Sequence, residues 1–422
     1  MKAIIDKFSS KFLTYYIFAN IFIIIIYSIM NLLDTGYYSS LGDCIVILFI
    51  ISLIICLFVL FIKRKIYVMD IILLFMVILA LIATIFAINI EVSIFGIGGR
   101  YEGLFAILYY LCLLYLSSYV NKEDRMKIII AILIFGFIHI LFGFAEIVGL
   151  IRSDTGEMRV KIPGIATNPN FFGSVMVICL SYIIGLLIDS KDILIKIVYT
   201  FLFIIFVYGL LITNTTSAII GVGAVLLFSI IYIIINKKYK ELVIIVLLFV
   251  VVSVFLERKG YTYLLKDLGK TSNEIVEISK GNVNDEYGTS RIKVWKETIK
   301  VVPKYLLHGA GIDNYYYIFG DEPLRIGIYH YDKAHNEYLQ ILVTQGIFSL
   351  LCYLFLYFII VMDGIINCFK EKKIYFVLPV IGYLVQAFFN ISVIEVAPIF
   401  FIALGLLIDR DKVYLNRELI KR

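Results

Sequence analysis

Apolar residues in this chain fall in long runs, each ended by a short cluster of charged or small polar residues. A helix that crosses a bilayer needs roughly 20 consecutive apolar residues. The pattern predicts twelve spans, near 12–30, 43–62, 66–88, 103–120, 128–150, 170–188, 197–213, 217–235, 241–257, 338–362, 374–391 and 395–409. The first run is too long for a signal peptide and no small-residue cleavage site follows, so it reads as an uncleaved anchor. No 20–50-residue repeat is present. One interval breaks the rhythm: residues 258–337, between the ninth and tenth spans. Connections of that length are usually functional. The predicted organisation is nine spans in 1–257, a loop domain in 258–337, and three spans with a tail in 338–422. The fold class is an all-α polytopic membrane protein.

Composition sharpens this. The chain is 62% apolar and 17% charged, against about 25% charged in an ordinary soluble domain. A soluble globule could not hide that surface, and a disordered chain would not carry it. The net charge of +6 is a topology signal, and no basic arm of the nucleic-acid kind is seen. Seven connections, the N- and C-terminal segments among them, hold 22 Lys and Arg. The five short loops on the other side (31–42, 89–102, 151–169, 214–216 and 392–394) hold 4, and 258–337 holds the remaining 12. The positive-inside rule then puts both termini in the cytoplasm and 258–337 outside, long loops being exempt from the count. The expected location is the cytoplasmic (inner) membrane. The six cysteines avoid 258–337 and show no metal-ligand spacing, which argues against a disulfide-stapled outer domain or a structural zinc site.

Against so few outer cations, the exceptions stand out. Arg100 sits in Gly98-Gly99-Arg100-Tyr101-Glu102-Gly103. Arg152, Arg159 and Lys161 lead into a segment ending Asn168-Pro169-Asn170. Asn168 followed by Pro169 reads as a helix N-cap with proline at the first helical position. Such a start offers free N–H groups and a positive dipole end to an anion. Residues 290–302 form an amphipathic helix suited to a membrane surface. Ile292, Trp295, Ile299 and Val302 share one face, and Lys293, Lys296, Lys300 and Lys304 another. Arg291 falls beside the apolar face, away from the lysines, with the only tryptophan, Trp295, one turn on. His335, followed by Asn336, stands where the tenth span begins. A helix N-terminus disfavours imidazolium and keeps the ring able to accept a proton, and Tyr331 and Asp332 are near enough in sequence to orient it. His139 and Glu146, on one face of the fifth span, are expected to make a buried polar contact.

Fixed cations beside one base, with no evident carboxylate cluster for a metal, suit a substrate whose leaving group is a diphosphate. Arginine binds phosphate bidentately and stays charged. A neutral histidine can take a proton from an attacking hydroxyl. The implied reaction is glycosyl transfer from a lipid diphosphate to a hydroxyl acceptor, inverting and without a cofactor.

The pieces that carry this chemistry resemble a known family, the O-antigen ligases and polymerases of bacterial membranes. They are Arg100 before "GLFAILYYL", "RVKIPGIATNPNFFG", "SRIKVWKETIKVVPKYLLHGAGIDNYY" with its Arg-x3-Trp helix and Gly-x-Gly turn, and "HNEYLQILVTQGIFSLL" with its His-Asn-x9-Gly motif. The resemblance is strongest from Arg159 to Leu351. It implies about twelve spans, a C-type glycosyltransferase architecture, and metal-independent transfer from an undecaprenyl diphosphate-linked oligosaccharide. His335 matches the family's proposed base and Arg291 its diphosphate-holding arginine. The basic position before Asn-Pro-Asn is matched by Arg159 on residue type and by Lys161 on spacing. Asn168, Asn170, Trp295 and Asn336 are supporting positions. Ser349 stands where the family often has a second glycine, and polymerase and ligase both remain open. The acceptor is a glycan, lipid, wall polymer or protein, with a capsule or similar surface polymer favoured by the composition. Two other classes compete. An Asp- or metal-dependent polyprenyl-phosphate glycosyltransferase would use Asp34 or Asp43, and a lipid-linked glycan flippase would need paired ionisable groups at mid-membrane.

Overall fold

The computed structural model describes residues 2–32, 38–63, 67–98, 100–151, 161–166, 168–320, 324–326 and 329–408. The chain order is α1 (Lys2–Leu32), α2 (Tyr38–Lys63), α3 (Val68–Ile85), α4 (Ile90–Phe95), α5 (Leu104–Ser117), α6 (Lys122–Ile147), α7 (Pro169–Asp189) and α8 (Ile193–Ile212), then α9 (Thr216–Asn236), α10 (Tyr239–Arg258), α11 (Leu264–Ser279), α12 (Arg291–Tyr305), β1 (Leu324–Ile326), β2 (Tyr329–Tyr331), α13 (Glu337–Glu371), α14 (Leu378–Ala387) and α15 (Ala397–Leu407). Among the described residues nine helices are long and apolar enough to cross a membrane. Three shorter apolar helices, α5, α14 and α15, fall where the remaining expected spans lie. This is a multi-pass membrane protein. It is not purely helical: β1 and β2 pair antiparallel, with Leu324 opposite Tyr331.

α7 is the central post, and every residue from Phe171 to Ile188 is buried. Its start follows from its sequence. The Asn168 side chain accepts a hydrogen bond from Asn170 N at 2.9 Å, and Pro169 occupies the first turn, as expected of a cap. Peripheral helices instead expose large apolar side chains such as Phe61 and Leu247, which lipid tails can cover. Between helices in lipid, close packing replaces the hydrophobic drive. Gly405 of α15 is an instance: a Cβ there would collide with Ser117 Oγ and the Leu114 carbonyl of α5.

The connections sort into two ends. At one, Asp189 binds Lys238 and the backbone of Ile374, Lys122 binds Glu371, and Arg125 reaches the carbonyls of Leu406 and Ile408. At the other, Ile162 donates to Ile212 O, Asn214 binds Thr262, Asn314 binds Asn89, and Ser392 N donates to Glu337. These are the two groups of loops that the count of basic residues separates. The second is called here the long-loop end.

α13 carries the element that ties the long loop to the bundle. Gly346 breaks it, at φ 85°, ψ 173°. The carbonyls freed by the break accept from the preceding loop: Ala310 N on Val343 O (2.9 Å) and Gly311 N on Thr344 O (3.0 Å), while Ile347 N donates to Leu306 O (2.7 Å). Gly346 and Gly309 both have positive φ, and each lies against the backbone of the other's segment, where a Cβ would clash. The Gly-x-Gly turn and the glycine of the His-Asn-x9-Gly motif are therefore two halves of one clasp.

α12 departs from the expected membrane-surface helix. Its buried residues are Val294, Thr298 and Tyr305, packed with Tyr315, Ala334 and Val343. Thr298 Oγ1 and Tyr315 Oη share a hydrogen bond of 2.7 Å. The helix is turned about a quarter-turn from the expected orientation, leaving Ile299 exposed and the Lys296–Lys300–Lys304 stripe facing away. Protein, not lipid, covers its inner face. The expected His139–Glu146 contact also fails to form: the His139 ring lies against Phe135 and Phe172, and neither nitrogen has a hydrogen-bond partner.

Candidate active site

Three segments meet at the long-loop end: 89–103, 309–314 and 331–336. The first is bent by Gly96 (φ 86°), whose backbone lies directly against Gly103. The bend sends Arg100 and Glu102 to different partners. Arg100 grips Asp332 with two N–H groups, Nε at 2.9 Å and Nη2 at 3.3 Å. Its guanidinium also stands 5.6 Å from the centre of the Phe171 ring, just inside α7. The glycine-flanked arginine thus bridges the Asn-Pro-Asn segment to the loop that carries His335. Burial works against a charge on Asp332, but Arg100, then Lys333, hold its carboxyl below the usual range. Asp332 does not hydrogen-bond His335, contrary to the expected orienting role, because Arg100 occupies it.

Below this lies an ionic knot that the sequence did not announce. Asp313 accepts from Lys333 Nζ through one oxygen and from Ile97 N (2.8 Å) through the other. Both side chains are buried, at 0% and 4% exposed. Burial opposes the Lys333 charge, yet Asp313 and then Glu102 raise its pKa. Glu102 is buried and accepts from Tyr110 Oη at 2.6 Å. Burial pushes its carboxyl up to about 8, with Lys333 pulling the other way. Glu102, Asp313, Lys333, Tyr353 and Tyr383 help line a cavity of about 50 Å³. Removing one partner of a buried ion pair costs about 3–5 kcal/mol, so the knot fixes the three segments relative to one another. No single motif could reveal it, since the ion-paired residues Asp313 and Lys333 lie 20 residues apart and Glu102 lies far from both. The only local signal was an Asp-Lys pair just before the histidine.

His335 stands on this base. Lys333 is tied to Asp313, Ala334 O accepts from Trp295 Nε1 (3.0 Å), Ala334 N donates to Gln340 Oε1 (2.8 Å), and Asn336 caps α13 by accepting from Leu339 N (3.0 Å). The backbone of His335 is in the left-handed region, φ 51°. The residues on both sides are fastened, while the ring itself has no hydrogen-bond partner among the described residues. Its one ring contact is edge-on to Tyr331, centroids 5.8 Å apart. Burial first, then the charge of Arg291, lower the imidazole pKa to about 4. The ring is therefore neutral at pH 7.

Arg291 opens α12 on the face turned toward the protein. Its Nη1 donates weakly to Gly288 O (3.4 Å) and Thr289 Oγ1 (3.3 Å), its Nε is buried without a partner, and it ion-pairs with no described residue. Burial lowers its pKa from the ordinary arginine value. The structure thus brings His335, Arg291, Arg100, Trp295 and Asn336 into one region, with Asn168 and Asn170 at the start of α7 beside Phe171. Lys161 is exposed and forms no ion pair among the described residues. Arg152, Arg159 and Asp34, and the side chain of Asp43, lie outside the described residues. Among the described residues no three His, Cys, Asp or Glu side chains gather as metal ligands would.

Residues 201–354 match the family model described as O-antigen ligase, and the match supports assignment to that family. It runs from α8 into α13 and includes Arg291, the Gly-x-Gly turn, His335 and Gly346. Arg100 and Asn168 precede it. No curated protein matches the chain.

Proposed function

We propose that this protein transfers a glycan from an undecaprenyl diphosphate carrier to a hydroxyl acceptor, at the outer face of the cytoplasmic membrane with both termini inside. The observation that carries the reading is the pairing of Arg291, which has no counter-ion among the described residues, with a neutral histidine that its charge acts on. A cation with a buried, unfilled donor is a site prepared for an anion, and the fork of arginine suits a diphosphate.

In the reaction, His335 takes the proton of the acceptor hydroxyl as its oxygen attacks the anomeric carbon. The bond from that carbon to the phosphate oxygen breaks on the opposite face, inverting the centre. The leaving diphosphate gains negative charge, which Arg291 stabilises without a metal. Arg100, aimed by Asp332, adds its remaining N–H groups, and Arg159 or Lys161 supplies a further cation. The base also responds to its substrate. Burial first, then the field of Arg291 with Arg100 and Lys333, lowers the His335 pKa, and a diphosphate bound there would cancel part of that field and raise the pKa toward neutrality. The ring becomes a stronger base only when the donor is in place. A growing glycan, a wall polymer and a lipid acceptor would all meet the same chemistry, so polymerase and ligase differ only in what approaches His335.

The test is incubation of purified protein in liposomes with a defined undecaprenyl diphosphate oligosaccharide, with and without chelator, followed by analysis of both ends of the product. Glycan moved to a hydroxyl with inverted linkage and release of undecaprenyl diphosphate supports the reading. Turnover that survives His335→Ala refutes it.

A further inference from the structure

The stretch between α10 and α12 carries a surface that the chemistry at His335 does not use. α11 begins shortly after α10 ends, and its start is fixed at the level where α8 turns into α9. Asn214, in that turn, accepts from Thr262 Oγ1 (2.9 Å) and Tyr263 N (3.0 Å) and donates Nδ2 to Tyr261 O (3.2 Å). Leu264 and Leu268 share a pocket there with Leu210 and Ile219. Beyond this anchor, Leu265, Leu268, Ile275 and Val276 lie along one side and are 63%, 42%, 60% and 45% exposed. Lys266, Lys270, Asn273 and Glu277 take the opposite side. The preceding helix α10 likewise exposes Leu247, Val251 and Phe255. The other flank is tied to the site: Glu274 Oε2 accepts from Gly288 N (3.1 Å), and Gly288 O accepts from Arg291 Nη1.

We propose that α11 lies in the headgroup layer of the bilayer at the long-loop end, apolar side in the lipid, and through Glu274 and Gly288 sets the height of Arg291 above the membrane. A helix with one apolar and one charged side, leaving a transmembrane helix at the membrane boundary, binds the interface by burying that apolar side at the acyl border. α11 follows directly on α10, a spanning helix that itself exposes large apolar side chains. The first clause needs no enzymology. Only the second rests on the role given to Arg291.

Single nitroxide labels test it, placed on cysteines at 265, 268, 275 and 276 and at 266, 270, 273 and 277 of a Cys44→Ala chain, since Cys44 is the exposed native cysteine. The labelled protein is placed in liposomes of phosphatidylethanolamine and phosphatidylglycerol. The first set is expected to favour collision with oxygen over a water-soluble nickel chelate by severalfold, and the second set the reverse. Equal nickel access on both sides, or labels shielded from both reagents as a second protein copy would shield them, overturns the proposal. Leu268→Asp with Ile275→Asp should remove the oxygen preference at 276 and raise KM for the lipid donor about tenfold, while Asn273→Gln changes neither. An unchanged KM in the double variant, with the depth pattern intact in the parent, would overturn the link to Arg291 alone. If the chain shows no transfer at all, the depth pattern still decides the first clause.

Discussion

Two arginines at opposite ends of the bundle, Arg125 buried and Arg291 half-buried, are treated in opposite ways. Arg125 donates to the carbonyls of Val120 (3.1 Å), Leu406 (2.7 Å) and Ile408 (2.9 Å), closing α6 onto the end of α15. Arg291 has two long contacts to its own turn and a buried Nε with no partner. The first arginine is structural cement, with its donors filled by carbonyls that never leave. The second leaves a donor unfilled, at a cost the fold sustains elsewhere, as sites for ligands do. What fills their donors separates the two.

The comparison breaks most sharply at the histidine that Arg291 acts on. His335→Ala is expected to lower kcat about a thousandfold, within the range of general-base catalysis, with donor binding and protein level unchanged. Single-turnover transfer in liposomes measures it. Arg291→Lys keeps the charge but loses the fork, and should cost about a hundredfold in kcat/KM. Arg125→Lys, by contrast, should lower the thermal unfolding midpoint and leave turnover per folded molecule unchanged. If Arg125→Lys proved as damaging to turnover as Arg291→Lys, the distinction would be lost. The pH profile sharpens the same contrast. A base must be deprotonated, so activity falls as pH drops through its pKa. The acid limb of kcat/KM, which reports the free protein, should lie near 4, where burial and Arg291 place His335. The limb of kcat, which reports the complex, should lie at higher pH, and in Arg291→Gln the two limbs should draw together. The smallest effect expected is about tenfold, for Arg100→Lys, read as a rise in KM for the donor.

How much of this was legible in the chain depends on the range of the interaction. Nine of the expected spans were, because each is a local run of apolar residues, and the Asn168–Pro169 cap was, because a cap is made by neighbours. Arg291 was picked out by its place beside the apolar face, and the structure puts it on the inner side of α12. Which side was inner came out a quarter-turn off, because Val294 and Thr298 are buried by Tyr315 and Ala334, which lie far along the chain. The amphipathic pattern of α11 was present in the sequence, but it sat inside a segment read as loop. The Arg100–Asp332 pair spans 232 residues, and a single sequence has no means of joining them. β1 and β2, at three residues each, are too short to show alternation.

The clasp between Gly309 and Gly346 has one further consequence. It closes the chain on itself around everything from residue 312 to residue 342, and within that closed stretch the ribbon of β1 and β2 precedes the fastened loop of His335. Replacements at Ile326 or Tyr329 would leave both ties standing, since neither the clasp nor the Asp313–Lys333 pair passes through that end of the ribbon, whereas Tyr331 at its other end touches the His335 ring. Variation confined to that end of the hairpin would then leave the tether of the His335 loop intact.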